Sequence, residues 1–106
     1  SGCAQGYLSF IMKSMVEACV KEGLPEDVAL AASAQSMIGT GRLILEGDIS
    51  ISELIRRVAT PGGVTEEELR EMEKTHVAES IESAIKAGIT KSRRISEELN
   101  RLIGFS

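Results

Sequence analysis

Apolar residues recur along the chain at the three- and four-residue steps of amphipathic helices, and no stretch alternates with the two-residue period of a strand. The first such pattern comprises Leu8, Ile11, Met12, Met15, Val16, Cys19 and Val20. Gly23 is placed to end this helix. Pro25, followed by the acidic residues Glu26 and Asp27, is placed to begin the next one. The pattern predicts an all-α fold of about five helices with no strands.

The second predicted helix, from Pro25 to about Glu46 with Gly47 after it, has almost no polar face. Its apolar residues are Val28, Leu30, Ala31, Ala34, Met37, Ile38, Leu43, Ile44 and Leu45. A helix that is apolar all round must be covered on every side, which four other helices of one short chain can hardly do. We therefore expect an intertwined homodimeric bundle in which a second copy supplies part of the cover. A tightly packed monomeric core is the alternative.

Two capping-box patterns predict where later helices begin. Ser50 with Glu53 predicts a short third helix, and Thr65 with Glu68 predicts a fourth helix over Glu66–Lys74. A long fifth helix follows, because one more apolar stripe continues almost to the end of the chain. This stripe comprises Val77, Ile81, Ala84, Ile85, Ile89, Ile95, Leu99, Leu102 and Ile103.

Composition limits the possible partners. The 106 residues are 42% hydrophobic and only 3% aromatic, so we expect a single domain over residues 1–106 with an aliphatic core. The formal net charge is -4 and the basic residues are scattered, so we expect no nucleic-acid partner. No run approaches the eighteen or so apolar residues of a membrane span, and no charged-then-apolar leader opens the chain. We therefore expect a soluble, cytoplasmic protein with no membrane partner.

The loop Thr60-Pro61-Gly62-Gly63-Val64-Thr65 is the most distinctive segment. Pro61 fixes its own φ and keeps Thr60 out of the helical region, while Gly62 and Gly63 permit positive φ and a close backbone approach. The helix expected after the loop would aim its unpaired N–H groups back into it, which favours binding of a carboxylate or phosphate. The alternative is an ordinary helix–helix turn.

Other reactive residues offer weaker candidates. Cys3 and Cys19 have no His or further Cys at metal-ligand spacing, so we expect no metal site. Cys19 lies on an apolar stripe and is expected to be a buried small hydrophobe, with a Cys3–Cys19 disulfide as the alternative. His76, the one histidine, has no partner at recognisable spacing and is expected at a surface or interface rather than in catalysis. The acidic run Glu66–Glu68 suits the start of a helix, but its charge would weaken anion binding in the loop.

Four segments occur in a familiar order: Lys21-Glu22-Gly23-Leu24-Pro25, Ala34-Gln35, the loop Thr60–Thr65, and Ile81-Glu82-Ser83-Ala84. Over residues 1 to 95 this series resembles the C-terminal helical domain of pyrroline-5-carboxylate reductases. The resemblance implies a dimerisation and substrate-binding domain of an NAD(P)H-dependent oxidoreductase of proline biosynthesis. Such enzymes reduce the C=N bond of 1-pyrroline-5-carboxylate to give L-proline.

The same resemblance implies that NADP or NAD is bound by an N-terminal Rossmann domain outside this chain. A dinucleotide site needs a strand followed by G-x-G-x-x-G and a helix, and the nearest fragment, Gly39-Thr40-Gly41, lies inside a helical pattern. The chain alone is therefore expected to bind no cofactor, to contain no catalytic residue and to be inactive.

The resemblance also implies roles for the loop. Thr60 corresponds to a hydroxyl near the substrate carboxylate, and Gly63 and Val64 correspond to backbone N–H donors to that carboxylate. Thr65 corresponds to a hydroxyl near the ring nitrogen, and Gly62 completes the substrate-binding loop. The implied partners are a small imino acid and a second copy of the chain, with assembly beyond a homodimer left open.

Some residues depart from the family pattern. Gly2-Cys3-Ala4-Gln5-Gly6-Tyr7 stands where Gly-Ser-Gly-Pro-Ala-Tyr is usual, and Lys74-Thr75-His76 replaces a break that contains glycine. These departures motivate an alternative, a reductase-like paralogue with a regulatory or binding role and altered or lost activity. A helical oligomerisation domain with no ligand is a third hypothesis.

Overall fold

The computed structural model describes residues 2–104 and contains five α-helices joined by short loops. They are α1 (Gly2–Lys21), α2 (Glu26–Glu46), α3 (Ile51–Val58), α4 (Val64–Lys74) and α5 (Val77–Leu102). No strand occurs in residues 2–104, so the predicted all-α class is confirmed. The side chain of Cys3 lies outside the described part, and with it the alternative of a disulfide. Cys19 is a free, half-buried thiol rather than the fully buried one expected.

The helices fall into two compact units, Ser1–Arg57 and Val58–Ser106. In the first unit the predicted end of α1 is confirmed. Gly23 has a φ of +107°, and its N–H donates to the carbonyl of Val20 at 3.0 Å. The N–H of Leu24 donates to the carbonyl of Cys19 at 3.1 Å. Together these two bonds form a Schellman motif, which turns the chain towards α2.

α1 and α2 pack against each other, and the buried residues of this unit are small. Ala29 is completely buried and Ser33 is 3% exposed, and they are the buried residues of the described part of the chain. The two lie one turn apart on the same face of α2, so they permit a close approach of the helix backbones. Ala29 and Ser33 therefore form the centre of a very small core in the first unit.

Most large apolar side chains are left uncovered within one copy of the chain. Two separate compact proteins of half this mass would together expose about 7,000 Å². This chain exposes 8922 Å². The excess includes at least one large apolar side chain on every helix, for example Leu8, Leu30, Ile51, Met72 and Ile89. The five helices of one copy therefore do not bury their own apolar faces.

α2 is the one helix of residues 2–104 that is long and apolar enough to cross a membrane by length and composition. It has 21 residues, and an 18-residue window within it has a mean hydropathy of 1.3. The expectation that no segment approaches a membrane span was therefore wrong on this measure. A helix that is covered on all sides by protein has the same composition, so the result does not indicate a membrane protein.

In the second unit, α4 and α5 are joined by only two residues, Thr75 and His76. The hydroxyl of Thr75 donates to the carbonyl of Glu71 at 2.9 Å, and the N–H of His76 donates to the carbonyl of Glu73 at 3.2 Å. His76 has φ 60° and ψ 42°, the left-handed conformation that glycine adopts without strain. Its exposed imidazole lies 2.7 Å from a carboxylate oxygen of Glu79. His76 thus takes the place of the expected glycine at this joint.

We predict that His76→Gly is more stable than His76→Ala by about 1 kcal/mol, because alanine keeps the strain of the left-handed conformation and glycine relieves it. Both variants lack the imidazole, so the comparison removes any effect of the pair with Glu79. Urea unfolding monitored by circular dichroism measures the difference. Equal midpoints would contradict the assignment of a left-handed residue to this joint.

Candidate functional site

The loop between α3 and α4 needs its two adjacent glycines for two different structural reasons. Gly62 has a φ of +75°, which side chains rarely tolerate. Gly63 is extended, with φ -88° and ψ 175°, so it needs no unusual conformation. A Cβ added to Gly63 would instead lie 2.6 Å from the hydroxyl oxygen of Thr60 and 3.1 Å from its carbonyl oxygen. The loop therefore needs glycine at 62 for its conformation and at 63 for space.

The start of α4 differs from the prediction. The Thr65–Glu68 capping box predicted a helix from Glu66, but α4 begins at Val64 with Gly63 as its N-cap. No side chain caps this end through the N-cap residue. Thr65 is instead the second residue of the helix and is half-buried. The prediction of Thr65 as a cap was therefore wrong.

A different acidic residue accounts for the earlier start. Glu66, the third helical residue, reaches back so that its Oε1 accepts a hydrogen bond from the N–H of Gly62 at 3.1 Å. The carbonyl of Thr60 accepts the N–H of Gly63 at 3.0 Å and closes a tight turn. These two bonds fold the loop back onto the first turn of α4, in the manner of one half of a capping box.

Three consecutive N–H groups remain free at the start of α4. Those of Val64, Thr65 and Glu66 have no acceptor among residues 2–104. They belong to the first turn of the helix, where the positive end of the helix dipole lies. The side chain of Val64 is 78% exposed, so this end of the helix is open to solvent. The arrangement suits a carboxylate, which accepts several such bonds at once.

The five predicted site residues therefore lie together, with one difference in detail. Val64 offers a free N–H as predicted, whereas the N–H of Gly63 is already donated to Thr60. The hydroxyl of Thr65 makes no hydrogen bond within the described part of the chain, and the Thr60 side chain is exposed beside Gly63. Their predicted contacts with a substrate stay predictions.

An ion-pair cluster beside the loop was missed by the sequence reasoning. Arg70 Nη2 lies 3.3 Å from Oε1 of Glu66, and Arg70 Nη1 lies 2.7 Å from Oε2 of Glu67. The signal was present in the sequence, because an arginine four residues after a glutamate on a helix lies next to it. The same Glu66 oxygen thus contacts both Arg70 and the loop.

Outside the loop, the described residues could offer two other kinds of site, a metal-binding cluster or a groove. They contain no group of three or more His, Cys, Asp or Glu side chains that could hold a metal ion. A largely apolar groove of about 570 Å³ runs along α1 and α2, lined by residues such as Met12, Val16 and Leu30. Its charged lining residues lie at the exposed surface of the two helices, and they are Lys13, Glu17, Lys21 and Glu26.

A protein-family model for pyrroline-5-carboxylate reductase dimerisation matches residues 1–95. The chain belongs to this family. The resemblance stated from the loop and its flanking segments is thereby confirmed. A dimerisation domain of this family implies a homo-oligomer, which agrees with the apolar surface that one copy leaves exposed.

Individual relatives carry the same name. The pyrroline-5-carboxylate reductase of Pseudomonas aeruginosa is 28% identical over 101 residues, covering 95% of this chain and 37% of that protein. Pyrroline-5-carboxylate reductase 3 of Xenopus laevis is 29% identical over 92 residues, covering 87% of this chain and 34% of the relative. The Gibberella fujikuroi reductase apf3 is 30% identical over 98 residues, covering 92% of this chain and 33% of that protein. The chain thus spans about a third of the length of these relatives.

A solved structure has the same fold. The crystal structure of Plasmodium falciparum pyrroline carboxylate reductase with NADP bound superposes with a TM-score of 0.85 at 26% identity. The match covers 89% of this chain and 37% of that one. The five helices described here therefore correspond to the helical part of a larger reductase.

We predict that Gly63→Ala destabilises the pyrroline-5-carboxylate reductase dimerisation domain by about 1 kcal/mol, because its Cβ would overlap Thr60. Adding Thr60→Ala removes the hydroxyl but not the carbonyl, so the double variant should recover part of the loss. Urea unfolding of the two single variants and the double variant measures this coupling. Strictly additive effects would show that the two residues do not touch.

Proposed function

We propose that the chain is the dimerisation and substrate-binding part of an NAD(P)H-dependent reductase that converts 1-pyrroline-5-carboxylate to L-proline in proline biosynthesis. Family membership supports the reaction, and the three free N–H groups at the start of α4 support the binding role. The substrate is a small ring with one carboxylate, which matches an open site with a few donors and the positive end of a helix.

The residues of this chain bind and orient the substrate. The N–H groups of Val64 and Thr65 donate to the substrate carboxylate, with Gly62 and Gly63 giving the backbone room to approach it. The Thr60 hydroxyl lies on the carboxylate side, and the Thr65 hydroxyl contacts the ring nitrogen, which becomes an amine on reduction. Holding the carboxylate fixes the face of the ring that receives the hydride.

NADP or NAD supplies that hydride when it is bound. The described residues contain no strand, so they do not form the βαβ unit of a dinucleotide site. In the proposed enzyme the cofactor is held by a Rossmann domain outside these 106 residues. This chain orients the substrate towards it and contributes no catalytic residue of its own.

The proposed assembly is a homodimer in the cytoplasm, in which the exposed apolar faces of the helices cover those of a second copy. Association of this kind makes stability depend on protein concentration. Larger assemblies built from such dimers are compatible with the same faces. No nucleic acid takes part, since the net charge is -4.

One observation favours a second candidate, a reductase-like paralogue with a regulatory or binding role and altered or lost activity. Glu66, Glu67 and Glu68 place three carboxylates in the first turns of the helix that receives the substrate carboxylate. Their repulsion weakens binding of an anion. Proline formation by the complete subunit from pyrroline-5-carboxylate and NADPH or NADH excludes this candidate, whereas binding without turnover supports it.

We predict that Val64→Pro raises the KM for pyrroline-5-carboxylate about tenfold or more, because it removes a donor to a charged group. Val64 is the first helical residue and its N–H has no acceptor in the described residues, so proline costs α4 no hydrogen bond. Gly63 before it is already extended, as a residue preceding proline must be. Steady-state kinetics of the complete subunit measures the change.

Val64→Ala is the matched control for this experiment. It removes the exposed valine side chain but keeps the N–H, so its KM should equal that of the unchanged protein. The kcat of both variants should stay within about twofold of the original value, because a contact made equally in ground and transition states changes KM alone. An unchanged KM in Val64→Pro would refute the carboxylate site.

The dimer gives a separate prediction. At micromolar concentration the 11.4 kDa chain should sediment at twice its mass, because its apolar faces need a partner. Ile89→Glu, on the half-exposed apolar stripe of α5, should shift it towards monomer and lower its thermal midpoint. Lys91→Glu, exposed and off that stripe, is the control and should stay dimeric. A monomer at all concentrations would contradict the proposed assembly.

A further inference from the structure

Glu66 is the third residue of α4, a position from which a glutamate side chain can reach back to the residues before the helix. Its side chain is 37% exposed, yet Oε1 turns back to accept the N–H of Gly62 at 3.1 Å. The contact joins the loop glycine whose φ is +75° to the third residue of α4. Glu66 therefore ties the loop to the helix whose free N–H groups form the proposed site.

Arg70 keeps Glu66 in that position. Its Nη2 lies 3.3 Å from the same Oε1 that accepts from Gly62, and its Nη1 lies 2.7 Å from Glu67. Exposed ion pairs of this type contribute little to global stability. Their effect here is local, because they restrict the rotamer of a side chain that braces a glycine pair.

Bracing matters because a loop with two adjacent glycines is otherwise free to move. Ordering each loop residue on binding costs conformational entropy. A loop already held in its binding conformation does not incur that cost when the ligand arrives, so its affinity is higher. The Gly62–Glu66 bond supplies this preorganisation beside the free N–H groups of Val64 and Thr65.

We propose that Glu66 is a positioning residue for the substrate carboxylate, an inference that rests on the function proposed above. Positioning and charge repulsion predict opposite effects of removing the Glu66 carboxylate on the KM for the substrate. A carboxylate near an anion site repels the substrate, so its removal by charge alone would strengthen binding. Removal of a brace weakens binding instead. The sign of the change in KM therefore distinguishes positioning from simple charge repulsion.

The experiment compares three variants of the complete reductase subunit. Glu66→Ala removes the brace and should raise the KM for pyrroline-5-carboxylate roughly threefold to tenfold, the value of one hydrogen bond. Glu66→Gln keeps an oxygen that accepts the N–H of Gly62, so its KM should be at or below the original value. Glu67→Ala removes the same charge and another Arg70 contact. The Glu67 side chain touches no loop atom, and alanine keeps the N–H that donates to Gly63, so its KM should be unchanged or lower.

A positioning role and a merely structural role of Glu66 change different kinetic constants. A merely structural role would lower the active fraction, and hence the apparent kcat, without altering the KM of the imino acid. We expect kcat to stay within about twofold in all three variants, because the bond acts before the chemical step. If Glu66→Ala leaves the KM unchanged, or lowers it as Glu67→Ala does, the proposal is wrong.

A second readout separates this inference from the proposed function. If the unchanged subunit does not turn over pyrroline-5-carboxylate, the proposed function fails, and hydrogen exchange of the Gly62 amide then tests Glu66. Exchange measured by ¹⁵N NMR should be faster in Glu66→Ala than in Glu67→Ala if Glu66 braces the loop. Equal exchange rates in the two variants would overturn the inference on either outcome of the assay.

Discussion

Apolar surface that one copy cannot bury is the constraint on which the rest of the structure depends. Only Ala29 and Ser33 are buried in the described residues, and large apolar side chains remain exposed on all five helices. The hydrophobic effect stabilises a fold in proportion to the apolar area removed from water, so most of that stabilisation must come from association. Folding and association of such a chain are therefore coupled.

The candidate site is independent of this missing core, because short-range contacts define it. The Thr60 carbonyl, the Gly62 conformation and the Glu66 carboxylate shape the loop within seven residues. The geometry of such a site depends on contacts within one copy and not on association with a second copy. The division is physically sensible: association supplies stability, and local hydrogen bonds supply the geometry that binding requires.

Sequence patterns predicted the helix boundaries where one residue decides the local backbone. Gly23 ends α1 because only glycine accepts its φ of +107° easily, and Ser50 caps α3 through the N–H of Glu53 at 3.1 Å, as its spacing indicated. The start of α4 was misplaced because the predicted cap, Thr65, does not accept an N–H at this helix end, whereas the Glu66 carboxylate does. Glu66 reaches Gly62 from within the helix, and that bond depends on a side-chain rotamer which spacing does not reveal. The replacement of a glycine-containing break by Lys74-Thr75-His76 located this joint, but it did not show which of the three residues is left-handed.

The composition of α2 fits a lipid or a protein environment equally well. The composition of the neighbouring helix α1 does not fit a lipid environment. α1 packs against α2, and α2 contains the two buried residues of the described part of the chain, Ala29 and Ser33. α1 carries Lys13 and Glu17, exposed and 3.7 Å apart, along the length that lipid would have to accept. Charges inside a bilayer are costly, and a second protein copy can leave them at its edge in water. The pairing of the two helices therefore favours a protein partner as the cover for the apolar faces of α2.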